Sequence, residues 1–365
     1  MKNIIISTDY FKSDYSNKEK FIEILQRNND KFLYFIVTKN AYKGSQIIEE
    51  LKNNYNLNCR FLPRNSELIS NYLDFEVIIG NKDVDFYTAT NNKKIIFYDK
   101  DFSAEKKVLQ YGFEFSIDIL DKLLKIIDLD KSHYCELISN NSAIKLFSLI
   151  NARYRVNSNY SIDEKLLIED FERFIKKNAS VKNKELITYY IILAILKLDI
   201  IVPDLIFYFP SSKIEPNPFM DNLVKKLRNI FHLSINTPEL LKRSREITPS
   251  KNLSYDERIG CQRHLNSISF NNSIDIKSKN ILVLDDYCTN GTSFETVRNF
   301  IIAKNEPIGS LTFISIGNFG KDYILQDYEI VNDKLEWKRY PIEYNYNPNY
   351  QETLDKLTQI LNEDE

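Results

Sequence analysis

The run Ile281-Leu282-Val283-Leu284-Asp285-Asp286-Tyr287-Cys288-Thr289-Asn290-Gly291-Thr292-Ser293 constrains this chain more than any other. Its four leading apolar residues predict a strand buried on both faces, the kind found in parallel sheets covered by helices. Two carboxylates stand at the carboxyl end of that strand, a hydroxyl-rich turn with one glycine follows, and helical periodicity resumes over Phe294–Ala303. A strand, turn and helix in this order belong to an α/β fold, whose ligands bind outside the carboxyl ends of the strands. The helix N-terminus offers unpaired N–H groups and a positive dipole end, which suit a phosphate. Thr289, Asn290, Thr292 and Ser293 add side-chain donors, and Gly291 lets the backbone approach an anion closely. Asp285 and Asp286 are poorly placed for phosphate but well placed for sugar hydroxyls. The two halves describe a sugar-phosphate cradle.

Glycine is otherwise scarce, 8 residues in 365, which excludes glycine-rich repeats and a GxGxxG dinucleotide fingerprint. The length predicts two or three domains. Over the first hundred residues, β-like runs at Asn3–Ile6, Phe32–Val37, Val77–Ile79 and Lys94–Tyr98 alternate with amphipathic stretches at Asn17–Arg27 and Lys43–Asn53, which predicts a parallel sheet. Helical periodicity then runs through Ile117–Leu129, Tyr134–Ile150, Asp163–Lys177 and Glu185–Leu198. The α/β signal returns with strands at Ile200–Phe209, Asn280–Leu284 and Ser310–Ile316. Asn217 and Pro218 open a helix over Phe219–Phe231, and Gln351–Glu365 reads as a last helix. The expected organisation is α/β with an N-terminal domain over 1–115, a helical connector over 116–184, a second α/β domain over 185–340 and a tail helix over 341–365.

The charge balance, 49 Lys and Arg against 51 Asp and Glu for a net −2, gives no case for a dedicated nucleic-acid surface. No apolar run approaches the roughly 18 residues needed to span a bilayer. The Met1–Ile6 segment turns polar at Ser7, too short for a signal-peptide core, and reads as a first buried strand. Four scattered cysteines and three histidines offer no zinc pattern, so free thiols in a reducing, cytoplasmic setting are expected. The 23 Tyr and 23 Phe are expected to fill cores and interfaces.

The 281–293 run resembles the binding motif for phosphoribosyl pyrophosphate (PRPP) in type I phosphoribosyltransferases: a hydrophobic strand, two acids, two variable residues, Thr-Thr-Gly, a small residue and Thr. Asp285, Asp286, Thr289, Gly291 and Ser293 match, with Asn290 in place of the second Thr. A second strand ends in Pro210-Ser211-Ser212-Lys213, where the resemblance implies a pyrophosphate loop with Lys213 neutralising the leaving group and Ser211 and Ser212 donating. The stretch from Leu241-Lys242-Arg243 through Glu257-Arg258 to Phe270 is similar to that of competence ComF-like members. There the resemblance implies a mobile loop over about 244–266, with Gly260 as a hinge and Arg243, Arg245, Arg258 and Arg263 as pyrophosphate clamps.

The first hundred residues resemble a haloacid-dehalogenase (HAD)-like Rossmannoid domain through Asp9 after the first strand, Thr38 ending the second, and Gly80-Asn81-Lys82-Asp83-Val84-Asp85. Asp9, Thr38 and Asp85 match. Ser7 stands where the nucleophilic Asp belongs and Asn81 where a metal-holding acid belongs, so the domain reads as non-catalytic, a nucleotide- or partner-sensing module. A generic α/β domain remains the alternative.

These resemblances imply nucleotide metabolism: transfer of 5-phosphoribosyl from PRPP to a base or amine, with Mg²⁺ carried by PRPP and no metal held by protein ligands alone. The alternatives are a PRPP- or nucleotide-binding regulator without turnover and a phosphatase in the first domain. Self-association as a homodimer stays open, as does the acceptor.

Overall fold

The computed structural model describes residues 1–64, 69, 74–130, 133–138, 144–155, 159–249, 252–331 and 334–363, with positions 144, 328–331 and 334–336 by backbone alone. They form two compact units, Met1–Asp130 with Asn229–His232 and Gln359–Glu365, and Lys131–Arg228 with Leu233–Thr358. Each unit is α/β. Among the described residues no helix is long and apolar enough to cross a membrane.

The first unit carries strands β1 (Lys2–Ser7), β2 (Phe32–Thr38), β3 (Cys59–Pro63), β4 (Val77–Ile79), β5 (Ile95–Asp99) and β6 (Phe113–Phe115). They make one sheet in the order β3-β2-β1-β4-β5-β6, parallel at every pairing. The chain winds from β1 out to β3, then returns to β4 and winds the other way. The strand order therefore reverses between β1 and β4, which opens a crevice at their carboxyl ends. Ile4, Ile5 and Ile6 are fully buried, as a central strand covered on both faces requires. The Lys18–Arg27 helix buries Phe21, Ile22, Ile24 and Leu25, the stripe its periodicity predicts. The short edge strands β3 and β6 carry no run long enough to read from sequence.

The second unit is built on strands β7 (Cys135–Ile138), β8 (Ile144–Asn151), β9 (Leu205–Tyr208), β12 (Asn280–Cys288), β13 (Ser310–Asn318) and β16 (Asn345–Tyr346). Their order is β16-β7-β8-β13-β12-β9; β8, β13, β12 and β9 run parallel, while β7 and β16 are antiparallel additions. Two antiparallel ribbons accompany this sheet: β10 (Leu241–Arg243) with β11 (Ile268–Phe270), and β14 (Asp322–Val331) with β15 (Lys334–Glu343).

One expectation is corrected. Tyr134–Ile150 is not helical: β7 and β8 occupy it, and residues 139–143 lie outside the described set. β8 is an inner strand between β7 and β13, and its polar residues Lys145, Ser148 and Asn151 recur at every third position, a spacing that imitates a helix. The 116–184 span is accordingly divided, with the Leu120–Asp128 helix in the first unit and the Ile162–Lys177 helix in the second. The Ile200–Phe209 run is a strand only over Leu205–Tyr208.

A buried polar network ties the Thr292–Lys304 helix to β14. Glu295 is fully buried and accepts from Arg298 Nε at 3.0 Å and Nη2 at 2.7 Å, from Gln326 N at 2.8 Å, and from the Tyr323 hydroxyl. Gln326 in turn donates to the Ile259 carbonyl at 2.6 Å and accepts from Cys261 N. Without Glu295 the Tyr323 hydroxyl and Gln326 N lose their acceptor, and among the described residues Arg298 keeps only the part-exposed Asp327 carboxylate, at 2.6 Å, as an ion-pair partner. Glu295→Ala is therefore expected to destabilise the second unit by about 3–5 kcal/mol, read as a lower urea midpoint in the fluorescence of the sole tryptophan, Trp337.

Candidate functional site

The two loops singled out in the sequence meet because their strands are neighbours. β9 pairs with β12 in parallel, Leu205 to Ile281 through Tyr208 to Leu284, so Phe209–Lys213 leaves the sheet beside the acids. β12 itself runs past the expected Leu284, paired with β13 as far as Cys288, so Asp285 and Asp286 lie within the strand and only Thr289–Gly291 forms the turn into the Thr292–Lys304 helix. Phe209 N donates to the Leu284 carbonyl at 2.8 Å and extends that register by one bond.

Asp285 is buried and Asp286 half-buried. Asp285 Oδ1 accepts from Asp286 N at 2.9 Å, and Asp286 Oδ1 accepts from Tyr287 N at 2.6 Å. Burial and the neighbouring Asp286 carboxylate push the Asp285 carboxyl well above its ordinary range, against a hydrogen bond from Ser293. Burial also raises Asp286, and the Lys176 ammonium opposes that rise. Lys176, in the last turn of the Ile162–Lys177 helix, lies 4.3 Å over the Tyr287 ring and 4.7 Å over Phe319. Nothing in the sequence marks this lysine, whose nearness to the acids is tertiary.

The loop after the acids is shaped by three glycines. Gly291 adopts φ +77° as the N-cap of the Thr292–Lys304 helix, and a Cβ there would lie 2.1 Å from the Tyr323 ring. A Cβ on Gly317 would strike the Tyr287 ring at 2.2 Å, and one on Gly320 would strike the Thr289 carbonyl at 1.6 Å. The Asn290 carbonyl is held by Ile324 N at 3.0 Å. Thr289, Asn290 and Ser293 are half-buried around this turn. The Thr292 hydroxyl is already engaged, donating to the Arg258 and Ile259 carbonyls at 3.3 and 3.2 Å.

The basic residues divide. Arg243 is buried and donates to the carbonyls of Ser211 at 2.8 Å and Pro210 at 2.9 Å and to Ser267 Oγ at 2.6 Å. It is a scaffold for the 210–213 loop rather than an open clamp, and burial lowers its pKa to about 10. His264 beside it is pushed well below its ordinary value by burial and by Arg263 and Arg243, so its imidazole stays neutral. Arg245 and Arg263 line a cavity of about 600 Å³ with Arg339, Trp337 and Asp256; neither Asp285 nor Asp286 lines it. Arg258 contributes its carbonyl to Thr292, not its guanidinium. Ser211 Oγ bonds within its own loop, to Lys213 O and Glu215 O, while Ser212 offers its carbonyl to Ile247 N; Lys213 is exposed.

In the first unit, Ser7, Asp9 and Asp85 meet at the carboxyl ends of β1 and β4. Ser7 Oγ accepts from Arg64 at 2.7 Å, and Arg64 pairs with Asp85 at 3.2 Å. Arg64 follows β3 and went unnoticed in the sequence because no motif announces it. Thr38 ends β2 and accepts from Asn40 N at 3.3 Å. A Cβ on Gly80 would meet the Asp85 carboxyl at 2.7 Å.

No protein-family model matches the chain, and no curated protein matches it.

Two expectations follow from the buried acids. Asp285→Asn retains the Oδ1 acceptor and removes a carboxyl that burial disfavours in its charged form, so its urea midpoint at pH 8 is expected to equal or exceed that of the parent. Burial raises Asp85 from 3.8 to about 6 despite Arg64. The folded chain then keeps a proton that the unfolded chain loses, so stability falls as pH rises from 3.8 towards about 6 and is level above that, a term of about 3 kcal/mol. Asp85→Asn is expected to flatten that descent in the first unit, measured as amide exchange of β1 and β4 across pH 4–7.

Proposed function

We propose that the second unit is a PRPP-dependent phosphoribosyltransferase of type I. The observation that carries this reading is the parallel β9–β12 register, which brings an acid pair, a helix N-terminus capped by Gly291 and the Pro210–Lys213 loop to one sheet edge. The 5-phosphate would rest on Thr289–Ser293, where backbone amides and the helix dipole favour an anion. The ribose hydroxyls would donate to Asp285 and Asp286, and the pyrophosphate would face Ser211–Lys213.

As the anomeric C–O bond breaks, pyrophosphate departs with the electron pair and positive charge grows on the ribose. A nitrogen lone pair then closes the new C–N bond, and the acceptor's proton is released. Burial raises the Asp286 carboxyl and Lys176 opposes that rise; in its ionised form Asp286 would stabilise the positive ring. In this reading Mg²⁺ would enter as the chelate of PRPP and neutralise the leaving group.

A binding protein without turnover is the second reading. It is favoured by one observation: Thr292 and Arg243 are already engaged by the protein's own groups. Calorimetry with PRPP and Mg²⁺, followed by a pyrophosphate-release assay across bases and amines, separates the two. Transfer predicts release that Asp285→Asn with Asp286→Asn lowers at least about 100-fold with the fold intact; binding with no release under any acceptor supports the sensor. Gly291→Val is expected to abolish PRPP binding in either case, because valine resists φ +77° and meets Tyr323. A phosphatase in the first unit gains no support, since the Ser7 hydroxyl accepts from a guanidinium rather than facing a base.

A further inference from the structure

The cavity of about 600 Å³ in the second unit lies between the 245–266 segment and β15. Neither the acid pair, the 289–293 stretch nor the Pro210–Lys213 loop lines it, so it is separate from the site already described. Its size falls within the range of small-molecule sites, about 300–1,000 Å³. Its floor is fixed from beneath. Gln326 donates to the Ile259 carbonyl at 2.6 Å and accepts from Cys261 N at 3.1 Å. The Thr292 hydroxyl holds the Arg258 and Ile259 carbonyls at 3.3 and 3.2 Å. Gly260 and Cys261 are therefore set in place before any ligand arrives, which spares part of the ordering cost of binding.

The lining names the chemistry of the ligand. Arg245 and Arg263 come from the segment and Arg339 from β15. Arg339 reaches across to the segment, since a Cβ on Gly260 would come within 3.3 Å of its guanidinium. Arg263 is half-buried and donates to the Thr248 carbonyl at 3.2 Å; burial lowers its pKa, and an anion beside it would offset that desolvation. The planar fork of arginine matches phosphate oxygens. Trp337, half-buried in the same wall, supplies a ring on which a base can stack. Of the acids, Glu257 is turned to its own helix, accepting from Ser254 N at 3.0 Å and Oγ at 2.6 Å. Glu246 and Asp256 are left as acceptors for N–H groups.

Smaller ligands use only part of this lining. Inorganic phosphate engages the guanidiniums and leaves the indole and the acids. A free nucleoside stacks and donates but leaves the cations, and a sugar phosphate has nothing to stack. A base joined to a phosphate uses all three.

We propose that this cavity is a separate binding site for a nucleoside monophosphate, with the phosphate on Arg245, Arg263 and Arg339, the base on Trp337, and base N–H groups towards Glu246 and Asp256. The assignment is independent of the transfer reading of the acid pair.

Trp337 is the sole tryptophan, so its fluorescence reports on this cavity. The test titrates the full chain with guanosine, adenosine, cytidine and uridine 5′-monophosphates, and with their nucleosides, ribose 5-phosphate, inorganic phosphate and a thymidine octanucleotide. At least one monophosphate is expected to quench the fluorescence with a Kd about tenfold or more below those of its nucleoside, ribose 5-phosphate and phosphate. Arg245→Gln and Arg339→Gln should each weaken that binding several-fold, and Trp337→Leu, followed by calorimetry, about tenfold. Asp285→Asn with Asp286→Asn should leave the quenching unchanged, which separates this site from the acid pair. Circular dichroism checks each fold, and the exposed Arg245 and Arg339 keep the test valid if Trp337→Leu unfolds. Absence of quenching by every monophosphate overturns the proposal, as does equal affinity for monophosphate and inorganic phosphate. Quenching insensitive to both arginine variants, or lost in the acid-pair variant, overturns it as well. Tighter binding of the octanucleotide than of any monophosphate overturns the assignment to a free nucleotide.

Discussion

The second unit turns on one buried carboxylate. Glu295 sits one turn into the Thr292–Lys304 helix, fully excluded from water, and gathers Arg298, the Tyr323 hydroxyl and the Gln326 amide around it. Those partners fasten β14 to the helix, and from β14 Tyr323 fills the space over Gly291 while Ile324 N holds the Asn290 carbonyl. Gln326 carries the connection on to Ile259 and Cys261. A buried ion pair contributes little net stability. Its effect here is geometric: it fixes the turn after the acid pair from a ribbon outside the main sheet.

Glycine economy belongs to the same argument. Seven described positions other than glycine have positive φ, and four of them are asparagines: Asn56, Asn178, Asn183 and Asn305. Asn56, Asn178 and Asn305 stand at helix C-termini, where the left-handed conformation is ordinarily glycine's. Asparagine tolerates it through local hydrogen bonding. Among the described glycines Gly291 alone has positive φ, and it also lies against an aromatic ring, a combination asparagine cannot serve. Gly317 and Gly320 are retained for close approach to the same loop.

What the sequence disclosed follows from the range of the forces involved. The βα turn at 281–293 was legible because strand burial, acids, hydroxyls and helix start are adjacent in the chain, and the first sheet because its apolar runs alternate with amphipathic helices. β8 was misread because its polar residues recur at a helix-like spacing. The β14–β15 ribbon was invisible because its partners are cross-strand. The arginines were identified by charge alone, and charge does not reveal that Arg243 faces carbonyls beneath a loop or that Arg245 and Arg263 line a separate cavity. Lys176 and Arg64 reach their acids only through tertiary packing.

Both crevices set a carboxylate against burial and answer it with a cation from elsewhere in the chain. Lys176 draws Asp286 towards its charged form, while Asp285, whose neighbour is that same carboxylate, is left to the neutral side. Adjacent carboxyls in a poorly solvated edge do not readily ionise together. Under the proposed transfer the asymmetry would divide their chemistry, with an ionised Asp286 stabilising positive charge and a neutral Asp285 exchanging hydrogen bonds with hydroxyls. In the first unit Arg64 answers Asp85 only in part, since burial still holds that carboxyl near 6. Above about pH 6 that carboxyl is charged, and the Arg64 guanidinium 3.2 Å away is the cation that compensates it.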